Sequence, residues 1–348
     1  MSRQIALDCI SLKSTPRWGH TEYSLGYHTE YIRKKLGHDP ANQADWNRFY
    51  DLMGMDFHWS NNDGLHGNWK KRGRATDMGH AEYAADGSDM TQPKACPFEQ
   101  PEEVWDFDAV KEYGLPSEAE QVADYERFAV SSREESPDQL TTGGYYKTLV
   151  SGAIEAFGWD MLLLGLSEPA RMEKPLDSFF RFTKFHMDCW AKTSIEVVIQ
   201  HDDFVWTEGP FMQPEIYRKM IIPRYAELWK PLKRAGKKVL FCSDANFMQF
   251  AGDVLNAGAD GLIFEPCNDF EFMVDRFGGT HALVGSCVDC RDMTFASWDK
   301  VRRTVDRSLE LASRCKGVIL AVGNHIPANV PDAMLDKYIE YLKANWGR

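Results

Sequence analysis

From Thr142 to the C-terminus, short apolar runs alternate with longer segments of helical spacing, and few architectures accept that order. The clearest unit is Lys237 to Pro266. Lys238 to Cys242 follows Gly236 as a short apolar run and reads as a buried strand. Phe247 to Asn256 has helical spacing and stops at Gly258, and Asp260 to Phe264 is the next strand. Upstream, the pattern predicts a strand over Tyr145 to Val150, helices over Ile154 to Leu166 and Pro169 to Ser194, and a strand over Ile195 to Ile199. A helix over Pro214 to Ala235 follows. Downstream it predicts helices over Asp269 to Phe277, Ser297 to Arg314 and Asp332 to Asn345, with strands at Ala282 to Gly285 and Gly317 to Val322. Strand alternating with helix implies parallel strands joined by right-handed crossovers. The expectation is a single α/β domain over residues 1–348, a closed TIM (β/α)8 barrel whose regular repeats occupy 142–348.

Residues 1–141 lack that regularity. Glu22 to Lys35 and Asp45 to Leu52 read as short helices, and Asp56 to Trp59 as a strand entering the turn at Asn61 to Gly64. Lys70 to Pro137 is polar and rich in Gly, Pro and acidic residues, and reads as long loops with a short helix over Ser117 to Ala129. An insertion of this kind in a barrel is a usual source of lids and rims. The 348 residues, 43% of them hydrophobic, suffice for a barrel core. A net charge of -12 argues against nucleic-acid and acidic-membrane partners, which require basic surface. No apolar run approaches a membrane span, and the opening MSRQIALDCISLK lacks the apolar core of a signal peptide. The 8 cysteines show no disulfide framework, so reduced thiols in a cytoplasm are expected.

Chemistry gathers where the strands end, which is where α/β barrels place active sites. His201, Asp202 and Asp203 close one strand. Cys242, Ser243, Asp244 and Asn246 close the next, and Glu265 and Cys267 follow the one after. A carboxylate pair supplies an acid whose proton is held by its neighbour's charge, or one member caps a loop instead. Thiolate, imidazole and carboxylate are all zinc donors; equally, Cys242 reads as a small buried apolar residue and Glu265 as the partner of an arginine. Cys287 and Cys290 form a lone Cys-x-x-Cys, which without a second pair does not make a structural zinc site. Tyr145, Tyr146, His58, Trp59 and Trp206 are candidates for a pocket wall or for core.

Several segments together resemble one family. They are His201-Asp202-Asp203-Phe204, Thr207-Glu208-Gly209-Pro210, Pro214-Glu215-Ile216-Tyr217 and Pro223-Arg224-Tyr225. To these add Cys242-Ser243-Asp244-Ala245-Asn246, Val284 to Asp289, and Val322-Gly323-Asn324-His325-Ile326-Pro327. This combination resembles the uroporphyrinogen decarboxylase superfamily from about Thr142 onward, where the Cys242 to Asn246 segment is usually written His-Ser-Asp-Gly-Asn or His-x-Cys-Gly-Asn. The superfamily includes porphyrinogen decarboxylases and corrinoid-dependent methyltransferases. The decarboxylases bind substrate carboxylates with an arginine motif near the N-terminus, where this chain has Pro16-Arg17-Trp18-Gly19-His20-Thr21-Glu22-Tyr23. The resemblance therefore implies the methyltransferase branch: removal of a methyl group from a small methylated substrate, with a methoxylated aromatic compound as the expected donor, and its transfer to a corrinoid (cobalamin) protein. It implies zinc held by Cys242, Glu265 and His325; Cys287, read from its own place at a strand end, is the further candidate ligand. Asp203, His201 and Asp244 are the expected catalytic groups. Tyr145, Trp206, Asn246, Asn324 and His58 are the expected substrate contacts. The alternatives are a lyase acting on a tetrapyrrole or smaller acid, and a non-catalytic relative that binds a ligand or corrinoid protein. A homodimer is one option for the assembly.

Overall fold

The computed structural model describes residues 2–23, 25–58, 62–63, 96–146, 148–285, 287–323, 326 and 329–348. Ten strand segments are present among them: β1 (Gly19–His20), β2 (Phe57–His58), β3 (Asn62–Asp63), β4 (Leu140–Thr141), β5 (Gly143–Tyr146), β6 (Val197–His201), β7 (Lys238–Ser243), β8 (Gly261–Phe264), β9 (Ala282–Gly285) and β10 (Val318–Leu320). All the paired segments run parallel. β2 and β3 follow one another along one stave and β4 and β5 along the next, and these two staves pair side by side, β2 with β4 and β3 with β5. The ten segments thus make the eight staves of a (β/α)8 barrel. β1 bonds β10 on one side. On the other, the Asp56 amide donates to the His20 carbonyl at 2.8 Å, which joins the first stave to the second.

The barrel interior is filled by one face of these strands. Phe57, Leu140, Val197, Ile199, Leu240, Cys242, Ile263, Val284 and Ile319 form a buried cluster, closed from below by Ala6, Cys9 and Ile10. Those last three lie on the helix Ser2–Ile10, which the sequence pattern did not separate from the irregular N-terminal region. Gly317 permits this plug: a Cβ there would meet the Cys9 carbonyl oxygen at 1.9 Å. The opposite face of the strands packs on the helices in a second, larger cluster. Both faces are apolar, as parallel barrel strands require.

Several expected boundaries move for local reasons. The helix expected over Ile154 to Leu166 is two helices, Val150–Phe157 and Trp159–Leu166, because Gly158 adopts φ 77 between them. The helix expected over Pro214 to Ala235 contains a wide turn at Tyr217–Ile221 just before Pro223, which has no amide to give the regular bond. The segment expected as long loops is partly helical: Pro101–Trp105, Ala109–Tyr113 and Glu118–Glu135 pack on the outside of the barrel against Pro169–Ala191. Trp105 Nε1 donates to the Gly165 carbonyl at 3.0 Å, and the Tyr125 ring stacks on Trp190 at 3.8 Å. Residues 70–95 of that segment lie outside the described residues. No helix among the described residues is long and apolar enough to cross a membrane.

Candidate active site

The strand register decides what meets at the mouth. Tyr146, His201, Cys242 and Ile263 are consecutive partners across β5, β6, β7 and β8. Side chains alternate along a strand, so residues two further on return to the same side. Two residues beyond His201, Cys242 and Ile263 are Asp203, Asp244 and Glu265. Three acids from three adjacent staves therefore form one tier above His201, Cys242 and Tyr146.

Asp203 is the hub of this tier. His201 Nε2 lies 2.9 Å from Asp203 Oδ1, the Asp244 amide donates to the same oxygen at 2.8 Å, and the Tyr146 hydroxyl donates to Oδ2 at 3.0 Å. Tyr146 also stacks on the His201 ring at 4.0 Å. Burial opposes charge on Asp203, yet His201 and the amide and hydroxyl donors outweigh it and hold the carboxyl below its ordinary range. Asp244 behaves oppositely. Burial, then the charges of Asp203 and Glu265, push its carboxyl well above the usual value. His201 Nε2, Asp203 and Asp244 each offer a ligand atom, all within 4.8 Å of one another.

Glu265 is held by the backbone. The Ala245 amide donates to Glu265 Oε2, and the Ala245 carbonyl accepts from Asn268 Nδ2 at 2.8 Å. Ala245 reaches this geometry at φ 68, in the left-handed region that costs a non-glycine residue roughly 1 kcal/mol. Burial pushes the Glu265 carboxyl up to about 7, against the Ala245 amide, with the Asp203 charge adding to the rise. The folded chain thus holds this proton more tightly than the unfolded chain, whose ordinary value is 4.5. The stabilising contribution is complete below about 4.5 and is lost as pH rises through about 7. Glu265→Gln is expected to flatten that part of the stability curve, read by urea denaturation across this range with a chelator present. An unchanged slope would place the proton elsewhere.

The remaining expected residues divide. Asp202, beside the hub, faces outward and caps a helix. It accepts from the amides of Leu149 (3.3 Å), Val150 (3.3 Å) and Ser151 (2.7 Å), from Ser151 Oγ (2.9 Å) and from the Tyr225 hydroxyl (2.6 Å). Cys242 faces inward and is buried; burial and the neighbouring Asp244, Asp203 and Glu265 charges push its thiol well up. Tyr145, expected at the substrate, turns instead into the helical layer and stacks on His186 at 4.4 Å. Tyr146, one residue on, takes the place inside, and register with His201 is the signal that finds it. His58 likewise points outward, its ring 5.1 Å from Tyr50. Cys287, expected as a metal ligand, is fully buried on the outer side beside Tyr338 and Glu22, away from the acid tier. Asn246 Oδ1 accepts from the Met248 amide at 3.2 Å, a helix-start role. Trp206 is 45% exposed at the mouth and packs with Trp159 and Phe211. Its carbonyl accepts the Asn246 amide at 3.2 Å. Asn324 and His325 lie outside the described residues.

A barrel of eight parallel staves with a polar tier at their carboxyl ends defines an enzyme-like α/β barrel. The chain belongs to the uroporphyrinogen decarboxylase (URO-D) family, whose model matches residues 160–344, more than half of its length. No curated protein sequence matches it. Among solved structures it is similar to a methyltransferase from Methanosarcina mazei, with 13% identity, a TM-score of 0.68, and coverage of 99% of this chain and 98% of that one. It is more distantly similar to a sugar phosphate isomerase/epimerase from Parabacteroides distasonis, with 12% identity, 97% and 98% coverage and a TM-score of 0.41. At 13% identity the first likeness concerns the barrel fold.

Proposed function

We propose that this chain is a methyltransferase that takes a methyl group from a small methylated molecule and passes it to the cobalt of a corrinoid on a partner protein. The expected donor is a methoxylated aromatic compound. The observation that carries this reading is the charge of the site. Asp203, Asp244 and Glu265 share one tier, and no lysine or arginine among the described residues forms an ion pair with Asp203 or Asp244. Arg17, the arginine in the N-terminal stretch compared with the decarboxylase motif, is committed elsewhere: it makes two bonds to Asp56, both 2.6 Å, and lies over Trp346. A substrate carrying many carboxylates needs several arginines or lysines to hold it, whereas a neutral ether does not.

Cleaving a methyl ether sends the methyl group to reduced cobalt and leaves the bonding pair on oxygen, which then needs a proton. The Asp244 carboxyl, whose proton is held tightly by burial and by its acidic neighbours, is the group to give it. Asp203 stays ionised and fixes the His201 ring, the Tyr146 hydroxyl and the Asp244 backbone. Trp206, Trp159 and Phe211 offer apolar faces at the mouth for a flat substrate. Zinc at the strand ends, when bound, would supply Lewis acidity toward the leaving oxygen in place of the Asp244 proton.

The test mixes the protein with methoxylated aromatics and a corrinoid protein reduced to cobalt(I), and follows the cobalt(I) absorbance. Donor-dependent loss of that absorbance, with the demethylated phenol formed in equal amount, is the expected result. No loss with any donor, together with carbon dioxide release from a tetrapyrrole acid, would replace this reading with a decarboxylase.

A further inference from the structure

Two of the expected zinc ligands, Cys242 and Glu265, fall outside the group of ligand atoms that the described residues bring together. Among the described residues, one group of three ligand atoms lies within 4.8 Å: His201, Asp203 and Asp244. Neither the Cys242 sulfur nor the Glu265 carboxylate belongs to it. His201 and Asp203 come from the end of β6 and Asp244 from the adjoining β7, so two neighbouring staves set the spacing. The Asp244 carboxylate receives no hydrogen-bond donor among the described residues, and His201 Nε2 lies 3.9 Å from it. Below this group the Cys242 thiol, on a residue 3% exposed, also has no hydrogen-bond partner among the described residues, although three acids surround it.

We propose that His201, Asp203 and Asp244 hold a divalent metal ion of the zinc class, with Cys242 outside its ligand shell. Two carboxylates cancel the ion's charge, and one neutral imidazole completes a nitrogen and oxygen set suited to zinc and its harder first-row neighbours. Such a set differs from the thiolate-containing one that the sequence suggests. Tyr146 supplies outer support: it donates to Asp203 and stacks on His201, fixing two of the three ligands. Three protein ligands leave a position for the oxygen of a substrate, the arrangement of catalytic rather than structural zinc. The inference rests on the proposed methyl transfer only for the use made of the ion.

Metal binding tests it without methyl donor or corrinoid. The chelator-stripped protein is titrated with Zn2+ against a chromophoric chelator and, separately, with Co2+ while its absorption spectrum is recorded. One zinc per chain is expected, with affinity falling at least about 10-fold in both His201→Gln and Asp244→Asn. Cys242→Ser is expected to bind as the wild type does, and the cobalt-loaded wild type to show no thiolate-to-cobalt charge-transfer band. Circular dichroism melts identify any variant that is simply unfolded, and Asp244→Asn keeps the side-chain shape. The proposal is overturned if the wild type binds no stoichiometric zinc, or if the charge-transfer band appears and Cys242→Ser loses the ion. Failure of methyl transfer would leave the metal result standing, and absence of metal would leave acid-assisted transfer standing.

Discussion

Asp203→Ala is expected to slow the proposed methyl transfer by about 100-fold or more. Its carboxylate gathers His201 Nε2, the Asp244 amide and the Tyr146 hydroxyl. Removing it frees the His201 ring to turn and moves the Asp244 backbone away from the leaving oxygen. It also leaves buried donors without an acceptor, at a cost of about 1–3 kcal/mol in stability. The comparison with Asp203→Asn separates these effects, since the amide keeps one acceptor oxygen and the shape but loses the charge. Single-turnover decay of the cobalt(I) absorbance, normalised to the folded fraction, gives the rate. A rate equal to that of the wild type would remove Asp203 from the reaction.

Its neighbour should fail in the opposite way. Asp202→Ala is expected to cost at least about 3 kcal/mol of folding stability, with the rate per folded molecule little changed. The helix Val150–Phe157 has no side-chain cap of its own, and Asp202 supplies one from β6, some 50 residues away in the chain. Its charge also opposes the positive end of that helix. The substitution leaves three amides and two hydroxyls facing an apolar wall. Urea denaturation of wild type, Asp202→Ala and Asp202→Asn measures the loss, with the asparagine variant expected between the other two. If Asp202→Ala unfolds at the wild-type midpoint, the cap contributes nothing.

These adjacent aspartates mark how far the sequence can be read. The order of strands and helices from Thr142 onward was legible, because each strand is a short apolar run and each helix has its own period. So was the grouping of His201, Asp203, Asp244 and Glu265 at strand ends, because parallel connections put every carboxyl end on one face of the barrel. The stretch before Thr142 was not. β1 and β2 are two residues each, too short for a period, and the plug Ser2–Ile10 gains its place from the barrel floor it fills.

What a strand end contains, the amino-acid order determined by itself; which of those side chains enters the cavity, only the tertiary structure decided. In Val197–His201 and Lys238–Ser243 both faces are buried, one against the barrel interior and one against the helices. Nothing in their hydrophobic pattern therefore distinguishes inside from outside. Pairing register makes that choice: it points Tyr146, His201, Asp203 and Asp244 inward, and sends Tyr145, Asp202 and Cys287 to the helices. A shift of one residue would exchange the two sets without altering any local preference.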